Sequence, residues 1–155
     1  MIDIPVDTLY LWTGLAVVGV AAVGVATSLP TAPPPDATTA AHTVDAVAAS
    51  EPPTYGEQPT AADRLRVTGD RLELHGDGGS ASAALAEGVV VVEPGSRLHA
   101  VATGTHPAHV FEDPGSFEAA VGAAADADPR WIDLDGTLRI RVVSWEGIDV
   151  TLVTN

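Results

Sequence analysis

Residues 8–29, "TLYLWTGLAVVGVAAVGVATSL", run for 22 positions without a charge, and the uncharged stretch continues to Pro35. A helix of that length rises about 33 Å, enough to cross a hydrocarbon core of about 30 Å. Tyr10 and Trp12 stand near one end, where amphipathic rings favour the membrane interface. Pro30 and the triplet Pro33–Pro35 cannot continue a helix at the other. A small domain has no interior able to surround such a segment on every side. The run therefore predicts a single transmembrane helix.

Two other readings compete. "ATS", residues 26–28, resembles the small-x-small site of a cleaved secretory signal. Residues 1–7 carry Asp3 and Asp7 with no basic residue, however, and the apolar run exceeds the ~7–15 residues of a signal core. A pilin-type assembly helix is the third reading, and "MIDIPVDTLY" lacks the basic residue and glycine that precede its processing site. A retained anchor is the expectation. Its orientation is not encoded nearby, because the first arginine, Arg64, lies beyond the ~15–20 residue window in which positive charge sets topology. Gly14, Gly19 and Gly24 recur every five residues and make no GxxxG face, while Ala22 and Ala26 form one small-xxx-small pair.

The rest of the chain is acidic. Its 155 residues carry 21 acids against seven bases, a net charge of -14. All seven bases are arginine, and lysine is absent. Such a surface suits very high salt, where the Debye length falls to about 3 Å at 1 M and like charges hardly repel. It also argues against nucleic acid, since nothing would neutralise a run of phosphates. Without cysteine, disulfides, thiolate nucleophiles and cysteine-ligated metal sites are excluded.

After the span, residues 30–60 read as a proline-rich stalk. "PTAPPPD" favours extended polyproline II, Asp36 is a helix N-cap, and Ala40, Val44, Val47 and Ala48 share one face of a helix over 37–49. "SEPPTYGEQPT" reads as a second linker. From Ala61 the hydrophobic period becomes two. In "RLRVTGDRLEL" a turn at Gly69–Asp70 sets Val67 opposite Leu72 and Leu65 opposite Leu74. "SASAALA", "VVVV" (89–92), "RLHAVAT" (97–103) and "WIDL" read as further strands. Asp113 and Pro114 start a helix running to about Ala125, with Phe117, Ala120, Val121 and Ala124 on its apolar face. The chain closes on a hairpin, "TLRIRVVSWEGIDVTLV". A three-residue loop at 146–148 pairs Val142 with Leu152, whereas a two-residue loop pairs it with Thr151 and mixes the faces, so the longer loop is expected. Residues 61–155 are thus an α+β head, mostly antiparallel, with one helix; 1–29 are the tail and transmembrane helix.

Chemical motifs are sparse. In "HPAH" the histidines 106 and 109 are three apart with Pro107 between, unlike the four-residue helical spacing of a zincin, and Glu112 and Asp113 follow. His42, His75 and His99 stand singly. Ser80, Ser82 and Ser96 lack a nucleophile elbow. "GDGGS" lacks the helix and lysine of a phosphate loop. The pairs Asp126/Asp128 and Asp133/Asp135 do not reproduce a calcium loop. No catalytic, cofactor or metal residue is expected, and the chain reads as no enzyme. One interaction site is expected, at Arg139, Arg141 and Val143, where apolar residues interleave with arginine as in interface cores. Cover of that face by helix 114–125 is the competing expectation.

"SLPTAPPPDA", "TVDAVAAS", "DGGSASA" and "VVSWEGIDVTLV" together resemble a family of uncharacterised haloarchaeal single-pass membrane proteins. Genes of that family lie beside secretion-type ATPase and membrane-platform genes of archaeal type IV pilus-like systems. The resemblance implies an accessory role in such an assembly and carries no functional residues. The expectation is a protein anchored in the cell membrane, its head outside, acting on protein partners without cofactor or nucleic acid. The alternative is an anchored ligand-binding or sensing head.

Overall fold

The computed structural model describes residues 16–18 and 32–155. The expected transmembrane helix and its interface residues Tyr10 and Trp12 lie outside the described residues, apart from a helical, exposed piece at 16–18. Among the described residues no helix is long and apolar enough to cross a membrane. Ala32–Asn155 forms one compact unit.

That unit is α+β and mostly antiparallel. It holds three helices, α1 (Ala37–Ala48), α2 (Arg97–Ala102) and α3 (Pro114–Ala125). Eight strands accompany them: β1 (Thr54–Pro59), β2 (Arg64–Thr68), β3 (Arg71–Gly76), β4 (Gly79–Ala84), β5 (Val90–Val91), β6 (Ile132–Asp133), β7 (Thr137–Trp145) and β8 (Ile148–Thr154). Sheet A has the order β1-β7-β8-β5 and sheet B the order β4-β3-β2-β6.

Period-two patterning builds sheet B. Leu65, Leu72 and Leu74 point inward while the arginines and Glu73 alternate outward. The β2–β3 turn at Gly69–Asp70 sets Val67 opposite Leu72 and Leu65 opposite Leu74, as the sequence predicts. These leucines meet Leu138, Ile140 and Val153 of sheet A, and Ala37, Ala40, Ala41 and Val44 of α1 join them in one core. The other face of sheet A is covered too. Val143 and Leu152 pack there against Leu98 and Val101 of α2, Phe111, and Phe117 of α3. The β7–β8 part of sheet A is buried on both sides, although β1 at its edge keeps Tyr55 and Glu57 exposed; the outer face of sheet B meets solvent.

Helix starts follow local chemistry. Asp36 accepts the Thr39 amide at 2.9 Å to cap α1, and Ser96 does the same for α2 through His99. Asp113 and Ser116 form a reciprocal capping box on α3, with Pro114 in its first turn. Each cap satisfies amides that have no partner within the helix.

Several expectations are corrected. The described part of the expected stalk, residues 32–60, is not separate from the head. Pro35 is buried, α1 lines the core, and "TYGEQP" forms β1 against β7. Any Cβ at Gly78 would strike the carbonyl of Pro33, so the proline segment lies against the β3–β4 turn and cannot act there as a free spacer. "RLHAVAT" is a helix and not a strand, because Ser96 caps it and Leu98, Val101 and Ala102 bury at helical spacing. "VVVV" contributes only the two-residue β5, parallel to β8. Residues 61–155 hold two α-helices, not one, while α1 stands where a helix over 37–49 is expected. The closing hairpin turns in two residues, with φ of 49° at Glu146 and 85° at Gly147, and pairs Val142 with Thr151. Positive φ at both positions marks the turn whose twist matches a hairpin. Burial of both faces removes the polar side that a shorter loop was expected to misplace.

Candidate functional site

The expected interaction residues are tied into the fold. Val143 is 3% exposed beneath α2 and α3. Arg141 reaches across to donate to the Val101 carbonyl at 2.7 Å, joining the Gly104 amide on that acceptor at the C-terminal end of α2. Arg139 holds Asp135 at 3.2 Å and Glu57 at 3.4 Å, and the Asp135 hydrogen bond stabilises its charged form. Tyr55 donates its hydroxyl to Glu57, which holds its pKa above the usual range. Tyr55 is half exposed, as are the side chains of Glu57 and Asp135.

"HPAH" folds into a short 3-10 turn, Pro107–His109, preceded by His106, whose Nδ1 accepts the Ala108 amide at 3.2 Å. The two rings stand 6.0 Å apart. Asp113 caps α3 and Asp126 ends it. Among the described residues no group of three or more metal-ligating side chains converges. "GDGGS" is the β3–β4 turn.

A different surface gathers unusual residues. On the outer face of sheet B, β2 presents Arg64 and Arg66, and β3 presents Arg71, Glu73 and His75. Strand β4 adds Ser80 and Ser82, and β6 adds Asp133, in the register set by the strand pairing. Since Ile132 points inward, its neighbour Trp131 falls on the outer face. Its ring is flanked by the Arg66 guanidinium at 4.6 Å, the Arg64 guanidinium at 5.7 Å and the His75 ring at 6.1 Å. Cations over an indole face are held by its quadrupole, so the three side chains stiffen one another.

The charge balance here departs from the rest of the chain. Three of seven arginines share one face of a molecule with net charge -14. Arg66 pairs with Glu73. Arg64 and Arg71 have no carboxylate within ion-pair distance among the described residues, although Asp133 stands across from Arg64 in register. The other four arginines are all engaged: Arg97 and Arg141 donate to backbone carbonyls, and Arg130 and Arg139 hold acids. Solvent-facing and carrying arginines beside a tryptophan, this face has the residue types on which protein interfaces concentrate their binding energy. The sequence signal is the alternation Arg64-x-Arg66 and Arg71-x-Glu73-x-His75. Trp131 joins it only through the β2–β6 pairing.

A groove of about 480 Å³ lies between α3, β5 and the β2–β3 turn. Val67, Val91, Leu98, Ala120, Ala124 and Ile132 make its apolar floor, with Arg97 and the Arg130–Glu93 pair at its mouth.

No curated protein and no solved structure matches the chain. The model of one family, described as a family of unknown function, matches residues 3–143. With nearly its whole length matched, the chain belongs to that family, DUF7283.

Proposed function

We propose that the protein is a membrane-anchored accessory or structural component, not an enzyme, that works by protein–protein contact through the outer face of sheet B. Its uncharged N-terminal run holds it in the cell membrane with the head on the outer side. The assembly it serves is an archaeal type IV pilus-like or secretion machine, a reading that rests on the resemblance of its sequence stretches. One observation carries the contact reading: among the described residues Arg64 and Arg71 have no acid within ion-pair distance, and Arg64 and Arg66 flank Trp131 on the same face, on a chain with 21 acids. Such a face complements an anionic partner, as a salt-adapted assembly would supply. Co-purification from native membranes at high salt tests it. The double variant Arg64→Ser, Arg71→Ser is expected to stay folded and lose its protein partners; full recovery of partners by the folded variant would reject the contact face.

The groove favours a second reading, an anchored ligand-binding or sensing head, because apolar clefts with a few charged groups at the mouth suit small amphipathic molecules. Saturable uptake of an apolar fluorescent probe, abolished by Ala124→Trp, would favour that reading.

A further inference from the structure

The four sheet edges are not alike. Strand β1 carries Glu57 and Pro59 and follows Pro52–Pro53, while β5 and β6 are two residues long. Charge, proline and brevity are the usual devices that stop an edge from pairing with another chain. Strand β4, "GSASAA", has six residues and none of these devices; α1 packs against it, yet Ser80, Ser82 and Ala84 stay exposed.

The phase of the ladder shows what this edge offers. Arg71 lies opposite Ala84, and the Leu85 amide donates to the Asp70 carbonyl at 2.6 Å. Bonded and non-bonded pairs alternate in an antiparallel ladder. Leu72–Ala83 and Leu74–Ala81 are therefore bonded pairs, and Ser80, Ser82 and Ala84 aim their amides and carbonyls away from β3. All three residues are exposed, and no described strand pairs with that side.

The side chains add a charge preference. Small serines on β4 let longer groups of β3 lie across them. Arg71 donates to Ser82 Oγ at 3.1 Å, and His75 Nδ1 meets Ser80 Oγ at 2.8 Å. Both thereby lean toward the free edge. An added strand would place alternate side chains beside Arg71 and His75, and the intervening ones beside the half-buried Ala81 and Ala83.

We propose that β4 accepts an extended strand from a partner polypeptide with acidic residues alternating with small apolar ones, extending sheet B by one strand. This rests on the contact reading of the sheet B face and specifies how that contact is made. Self-pairing of β4 is disfavoured by charge, since it would bring two Arg71 side chains toward one seam with no acid between them.

The test uses the full chain in detergent micelles, at the lowest salt at which it stays folded. Synthetic eight-residue peptides alternating valine with glutamate, or valine with lysine, are the probes. Amide exchange is followed at Ser80, Ser82 and Ala84. The glutamate peptide is expected to slow exchange at these three amides by at least about tenfold, and the lysine peptide to leave it unchanged. Ser82→Pro, which removes an outward amide and no ladder bond, should abolish this protection; Arg71→Ser should weaken it while keeping the strand. No binding, binding that leaves the three amides unprotected, or equal protection by both peptides would overturn the proposal. So would a dimer of the chain that Ser82→Pro dissociates. Loss of native partners in the Arg64→Ser, Arg71→Ser variant but not in Ser82→Pro would leave the contact face standing and strand addition refuted.

Discussion

Among the arginines, position decides whether the side chain builds the fold or remains available for a partner. Arg141 donates to a carbonyl at the end of α2, partly buried. Arg141→Ser leaves that acceptor short of a charged donor and should cost about 1.5–3 kcal/mol of stability, read by chemical denaturation. Arg139→Ser breaks only exposed pairs with Glu57 and Asp135 and should cost about 0–1 kcal/mol. Equal effects from the two would show that Arg141 is not structural. Asp36 gives a pH signature. Hydrogen bonds from the Thr39 amide and hydroxyl hold its pKa below the usual carboxylate range. The ionised form is therefore favoured in the folded state. Its contribution to stability is present above its unfolded pKa of about 3.9 and is lost as pH falls through the lower folded value. The melting temperatures of wild type and Asp36→Asn should differ at pH 7 and converge as the medium is acidified. A gap that persists unchanged at pH 2 would contradict this.

At the scale of elements, what could be read from sequence depended on whether an element has two chemically distinct faces. The β2–β3 hairpin was legible because Leu65, Leu72 and Leu74 alternate with charge and Gly69 suits a tight turn. The β7–β8 register was not, because Val142 and Val143, like Leu152 and Val153, bury on opposite faces. With no polar face, a one-residue slip leaves the pattern unchanged. "RLHAVA" is short enough to satisfy either period, and burial against sheet A selects the helix. β1 hid behind its prolines, since its evidence is the ladder to β7, some 80 residues away in the chain. The candidate site was half legible: its arginines alternate visibly, but the tryptophan reaches them through a non-local pairing. The close seating of Ala32 and Pro33 on the β3–β4 turn yields a test. Gly78→Ala forces a methyl into the Pro33 carbonyl and should destabilise the unit by about 1–3 kcal/mol, the usual cost of overpacking. A neutral effect on thermal melting would mean that the proline segment is not held there.

For the whole molecule, charge and surface chemistry dominate. With net charge -14, self-repulsion returns as screening fades, so circular dichroism from molar salt to tens of millimolar should show the fold lost on dilution. A melting temperature unchanged over that range would mean that the acidity is not a folding adaptation. Against this anionic background the outer face of sheet B stands out, with three arginines on one solvent-facing surface, two of them beside Trp131. The most direct measurement is site-specific photo-crosslinking in native membranes. A photoreactive residue would be placed at Thr68, Ser82 or Asp133 on that face, and at Glu118, Glu146 or Asp149 away from it. Protein crosslinks are expected from the first three positions and none from the second three; crosslinks from both sets alike, or from the second set alone, would rule out sheet B as the contact face.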